Sequence, residues 1–160
     1  MTEQVHYYFA YGSNMNPARV EKRQMGFQYV MAGRLSHYRL AFNKRSVKYP
    51  GAAAANVMPQ QGATTEGVLY QLTVPEQIEM MDPFEGYPRR YNRLALAVET
   101  AREDVLAWVY IANQEYIAEG LHPARWYLEH LLKGRDYLSE SYYRQLQQTV
   151  CLPNSELEPE

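Results

Sequence analysis

The segment TEGVLYQLT, Thr65–Thr73, alternates side chains with a period of two. That is the pattern of a strand with one face in a core, and six more segments read the same way. They are VHYYFA (Val5–Ala10), FQYVMAGRL (Phe27–Leu35), HYRLAFN (His37–Asn43), AAAANVMP (Ala52–Pro59), RRYNRLALAVET (Arg89–Thr100) and VLAWVYIAN (Val105–Asn113). The alanine run favours helix by propensity, but Gly51 before it and PQQGAT after it suit a strand of small residues. Small side chains there let another group approach the backbone closely. The last two segments flank TAREDV, a hairpin turn, and Asn43–Gly51 reads as a polar loop carrying Lys44, Arg45, Lys48 and Pro50.

Helical signals sit between and after these strands. Asn16 is placed to cap a short helix that has Pro17 at its first position. Pro75 opens a second helix with Ile78 and Met81, and Met80 as a third candidate, on its apolar side, and Pro83 predicts its end near Asp82. His122–Gly134 reads as a third, with Gly134 in the left-handed cap position. A fourth follows Ser139, and the acidic tail from Pro153 to Glu160 reads as frayed. The expectation is one α+β domain spanning residues 1–160, with a sheet of about seven strands.

The 160 residues suit a single domain, and at 46% hydrophobic they can build a core. The 15 tyrosines predict many core or cleft positions with a polar tip that needs a partner. Sixteen basic residues against 18 acidic give a net charge of −2, which offers no footprint for nucleic acid or an anionic membrane. Cys151 is the single cysteine, so neither an internal disulfide nor a thiolate metal site is expected. The N-terminus lacks the basic and apolar regions of a signal peptide, and no apolar run reaches the length of a membrane span. These features together predict a soluble cytoplasmic protein, and exposed tyrosines leave a homodimer open.

Few residues carry recognisable chemistry. His6, His37, His122 and His130 are scattered without ligand spacing, so no metal is expected, and no glycine-rich phosphate cradle occurs. Ser13 lies outside any nucleophile elbow. Gly12-Ser13-Asn14 is either a plain turn or a nest whose amides and hydroxyl grip a carboxylate or oxyanion. Glu85, between Phe84 and Gly86, is either a surface carboxylate paired with Arg89 or Arg90, or a base. A dry apolar neighbour raises a carboxyl pKa toward neutrality, as a general base requires.

Taken together, YFAYGSNM (Tyr8–Met15), GRLSHYRLAFN, GVLYQL, MDPFEGYPRRY and AWVYIAN resemble the γ-glutamylcyclotransferase (AIG2-like) family from Tyr7 to about Gln148. The resemblance implies a mostly antiparallel, mixed sheet of six or seven strands closing into a small barrel with flanking helices. It implies a cofactor-free enzyme that cyclises a γ-glutamyl amide to 5-oxoproline. Tyr11, Gly12, Ser13 and Asn14 would hold the glutamyl group, Glu85 would be the acid/base, and Tyr110 would orient it or the substrate. The segment GYPRRY (Gly86–Tyr91) departs from the animal enzymes, which leaves the departing amine open. A binding module of the same fold, or a cyclotransferase for a γ-glutamylated amine or biosynthetic intermediate, are the alternatives.

Overall fold

Five strands, β1 (Tyr7–Ala10), β2 (Phe27–Arg45), β3 (Ala53–Leu72), β4 (Tyr91–Glu99) and β5 (Asp104–Ala112), close into a barrel. The structure is a computed structural model and describes residues 4–153; the tail expected from Pro153 onward lies outside the described residues apart from Pro153 itself. Strand order around the barrel is β1-β3-β2-β4-β5, and every pair is antiparallel except β1 with β5. Four helices flank it: α1 (Pro17–Lys22), α2 (Ile78–Glu85), α3 (Arg125–Leu132) and α4 (Glu140–Gln147).

The strand count corrects the expectation of about seven. The two expected strands Phe27–Leu35 and His37–Asn43 are one continuous β2, and Ala52–Pro59 and Thr65–Thr73 merge into β3. The residues read as breaks form a bulge in mid-hairpin. Ser36 pairs with Thr64 and Tyr38 with Pro59, so His37 stands opposite four residues of β3. His37 (φ +70°) and Gly62 (φ +86°) take left-handed conformations there, and the Gly62 amide donates to His37 Nδ1 at 3.1 Å. A bulge and a turn use the same glycine and polar residues, so sequence alone does not separate them.

Three further local expectations are corrected. The strand β2 runs through Lys44 and Arg45, so the polar loop begins only at Ser46, and Lys44 is 5% exposed. Helix α2 continues past Asp82, through Pro83, to Glu85. Pro83 lies on the exposed side, where its missing amide costs one helical bond, and the Gly86 amide closes the last turn onto the Asp82 and Pro83 carbonyls. Gly134 is not left-handed (φ −84°); a Cβ there would sit 3.0 Å from Met15 Cβ, so it is small because α3 packs on the Ser13–Met15 turn.

The hairpin of β4 and β5 pairs Tyr91 with Ala112 through Glu99 with Asp104. Asn16 and Ser139 cap α1 and α4 as expected, accepting from the Ala18 and Tyr142 amides. The core carries its tyrosines as polar-tipped spacers. Tyr70 donates to the Asn14 carbonyl at 2.6 Å and Tyr91 to the Ala55 carbonyl at 2.7 Å. Asn56, fully buried, accepts from the Ala112 amide and donates to Asn43 Oδ1, tying β2, β3 and β5 together beside Lys44. Among the described residues no helix is long and apolar enough to cross a membrane.

Candidate active site

Strand β1 ends at Ala10, and the chain passes through Tyr11 and Gly12 into a single 3-10 turn, Ser13–Met15. The turn is held from several sides. Asn14 Nδ2 donates to the Tyr8 hydroxyl at 2.9 Å and to Met81 Sδ at 3.2 Å, while its Oδ1 accepts from Arg23 at 3.1 Å. Tyr11 donates its hydroxyl to the Tyr110 carbonyl, and Ser13 Oγ accepts from Arg19 Nε at 3.2 Å. The side chains of Tyr11 and Asn14 are thus spent on positioning, whereas the Ser13 hydroxyl, accepting from Arg19, keeps its proton to donate to a ligand.

Opposite the turn stands Glu85, the last residue of α2. Gly86 follows in the left-handed region (φ +70°), the conformation that ends a helix abruptly, and the carboxylate is thereby directed into the same cavity of about 130 Å³ that the turn lines. All six residues singled out from sequence line this cavity: Glu85, Tyr11, Gly12, Ser13, Asn14 and Tyr110. Burial raises the Glu85 pKa above its ordinary value, against the pull of Arg23, Arg19, Lys44 and Arg90. Desolvation prevails over four cations because removing water penalises the charged form at short range, whereas the attractions are spread through a polar cleft. Glu85 is only partly enclosed, so its carboxylate remains open to a ligand.

Of the two expected partners, Arg90 shares the cavity, and Arg89 is exposed. The Arg90 guanidinium lies against Gly86, with Nε 2.0 Å from where a Cβ would stand; a side chain at position 86 would evict it.

Tyr110 contributes its ring to the cavity, but its hydroxyl donates to Asp82 Oδ1 at 2.7 Å. Asp82 in turn takes a two-pronged contact from Arg93, at 2.9 and 3.1 Å. This network locks the last turn of α2 onto β4 and β5, and so fixes where Glu85 points. Both ends of the ion pair are nearly enclosed, at 13% and 14% exposure. Asp82→Ala strands Arg93 and Tyr110 without an acceptor and should cost about 2 kcal/mol in urea denaturation, between an exposed pair and a fully buried one.

Several further residues line the cavity. Arg19, on α1, and Arg23, the residue that caps its C-terminus, stand four apart, a spacing that puts both on one helix face, and this signal was available in the sequence. Lys44 was hidden by the strand that turned out to continue through it. Burial and the nearby Arg90 lower its pKa to about 8, with Glu85 opposing, and its ammonium lies 5.6 Å from the Tyr91 ring and 5.7 Å from that of Tyr116. Tyr127, from α3, accepts from the Ala55 amide at 2.8 Å and also meets the Ser13 backbone; a hydroxyl that accepts from amides keeps its proton for donation. Ala54 and Ala55 form the small-residue wall that the alanine run implied. Among the described residues no group of three or more His, Cys, Asp or Glu could hold a metal ion.

The closed five-stranded barrel with flanking helices is the γ-glutamyl cyclotransferase-like fold. One solved structure, a γ-glutamyl cyclotransferase, superposes with a TM-score of 0.81 at 20% identity, covering 99% of this chain and 95% of its own. An uncharacterized protein from Homo sapiens matches at 0.80 and 21%, covering 94% and 91%. A glutathione-specific γ-glutamyl cyclotransferase from yeast matches at 0.66 and 14%, covering 92% and 96%. At these identities the likeness is one of fold. No curated protein matches the chain at a significant level. The sequence decides the family: residues 8–148 match the profile of "Gamma-glutamyl cyclotransferase, AIG2-like", and the chain belongs to that family.

Proposed function

We propose that this protein cyclises a γ-glutamyl amide to 5-oxoproline and releases the amine, with Glu85 as its acid/base. The observation that carries the reading is a carboxylate with a raised pKa facing the Tyr11–Asn14 turn across one small cavity, in a chain of this family.

The substrate holds its own nucleophile, the α-amine, which closes a five-membered ring on the γ-carbonyl. At neutral pH that amine is an ammonium. Glu85 takes its proton, the amine nitrogen attacks the carbon of the γ-carbonyl, and the carbonyl oxygen becomes an oxyanion. Donors at the Gly12–Asn14 turn, joined by the Tyr127 hydroxyl, stabilise that charge as it develops. Glu85 then returns the proton to the departing nitrogen, the C–N bond breaks, and Glu85 passes the second proton of the ring nitrogen to the released amine, so that 5-oxoproline and the ammonium form of the amine result. One carboxylate suffices because both nitrogens flank the same carbon. A raised pKa helps both transfers, since a weakly acidic base is also a competent acid at neutral pH. The substrate already carries the intramolecular advantage, and holding its glutamyl chain folded adds the smaller part that comes from fixing its rotatable bonds in the reactive geometry. In this reading Tyr11, Asn14 and Tyr110 are positioning residues.

Incubation of the protein with γ-glutamyl-L-alanine is expected to yield 5-oxoproline and alanine in equal amounts by chromatography. A thermal shift with this compound but no 5-oxoproline would instead make the protein a binding module of the same fold.

A further inference from the structure

The catalytic cavity does not end at the γ-carbonyl. It continues into a second cavity of about 210 Å³, and five residues line both: Lys44, Ala54, Arg90, Trp126 and Tyr127. If the glutamyl half occupies the first cavity, whatever leaves must occupy the second, and the scissile nitrogen lies at their junction. This inference therefore rests on the cyclotransferase reading.

The chemistry of that junction is one-sided. Lys44 and Arg90 stand at it, and Lys48 stands at the rim of the second cavity. Glu85 is the one acidic residue lining either cavity among the described residues, and it faces the glutamyl side. Lys44 is 5% exposed, so its charge acts in a partly desolvated setting where a neighbouring anion counts for more than in water. Beyond the two cations the floor is small and apolar, Ala52 to Ala54, with Trp126 beside it.

In a γ-glutamyl α-amino acid, the leaving carboxylate sits on the carbon bonded to the scissile nitrogen. It must therefore lie at the junction, with the amino-acid side chain running on over the alanine floor. An alkylamine has no group for Lys44 and Arg90, and a diamine brings a cation toward them.

We propose that Lys44 and Arg90 read the α-carboxylate of the leaving group, so that the protein prefers γ-glutamyl α-amino acids to γ-glutamyl amines. The two cations bind the carboxylate in the substrate and release it with the amino acid, and neither takes part in the proton transfers.

The test uses a substrate pair that differs by that carboxylate alone. γ-Glutamyl-L-alanine should show a kcat/KM at least about tenfold above that of γ-glutamyl-ethylamide, and γ-glutamyl-putrescine should fall below both. In Lys44→Met or Arg90→Met the alanine-to-ethylamide ratio should collapse to within about threefold, because the lost contact exists for one substrate only. A ratio near one in the native protein overturns the inference and leaves the cyclotransferase reading intact. A ratio that survives in both variants overturns the assignment of these two side chains. No 5-oxoproline from any of the three substrates overturns the reading of the reaction, and the inference with it.

Discussion

Glu85→Gln is expected to release 5-oxoproline from γ-glutamyl-L-alanine about 10³-fold more slowly than the native protein, while the thermal shift given by that compound survives. The side chain keeps its shape and loses its proton exchange, so both transfers fail together. General acid–base groups contribute 10²–10⁴-fold each way on the order of magnitude, and here one group is asked to serve twice. A second readout separates this role from a structural one. The Glu85 pKa is raised in the folded protein, so the folded state binds more protons than the unfolded state at pH values between its ordinary 4.5 and its folded value. Stability from this group is full below 4.5 and lost as the pH rises through the folded pKa. Gln carries no such loss. The variant should therefore match the native melting temperature in acid, exceed it progressively as the pH rises from 4.5 to the folded pKa, and keep a constant margin above that, the mark of a site that gives up stability for chemistry. Near-native turnover in Glu85→Gln would remove Glu85 from the mechanism.

Some of this was legible in the sequence, and the reasons differ from residue to residue. The Gly12-Ser13-Asn14 turn and Glu85 were visible because each breaks its local pattern: small polar residues after a buried aromatic strand, and a carboxylate beside Phe84 before a glycine. The hairpin around Thr100–Glu103 was visible because both its strands keep period two up to the turn. The continuity of β2 and β3 was not. Ser36, Gly62 and their polar neighbours suit a chain reversal as well as a bulge, and only the partner strand, paired across 28 residues from Ser36 to Thr64, decides between them. The same limit hid Lys44. Its burial comes from Tyr91 and Tyr116, brought from two other elements, and a lysine next to arginine in a local window looks like solvated surface. Pro83 shows the opposite error. The local rule against helix before proline was outweighed by Asp82, whose contacts to Arg93 and Tyr110 hold the last turn of α2 in place.

The contact between β1 and β3 should be the most fragile point of the fold, and it is set by a single hydrogen atom. Gly67 faces β1 so closely that a Cβ would stand 2.3 Å from the Ala10 carbonyl oxygen and 2.9 Å from the Phe9 ring. A carbonyl in a paired strand cannot swing aside as a side chain can, so Gly67→Ala must push the strands apart. Overpacking of this kind costs about 3 kcal/mol at the upper end of its usual range, which for a chain of this size lowers the melting temperature by about 10 °C. Gly62→Ala is the control. It has the left-handed conformation (φ +86°) and nothing within 4 Å, so it pays backbone strain alone, about 1 kcal/mol. The consequence reaches the site, because Ala10 is the residue from which the Tyr11–Asn14 turn departs. Pushing Ala10 outward moves the turn away from Glu85, and an offset of about 1 Å between reacting groups can cost 10²-fold in rate. Gly67→Ala should thus lose 5-oxoproline release at temperatures where circular dichroism still shows it folded, whereas Gly62→Ala should lose only stability. Equal stability losses in the two variants would mean that β1 yields to the added methyl, and that the barrel does not hold the turn rigidly against the base.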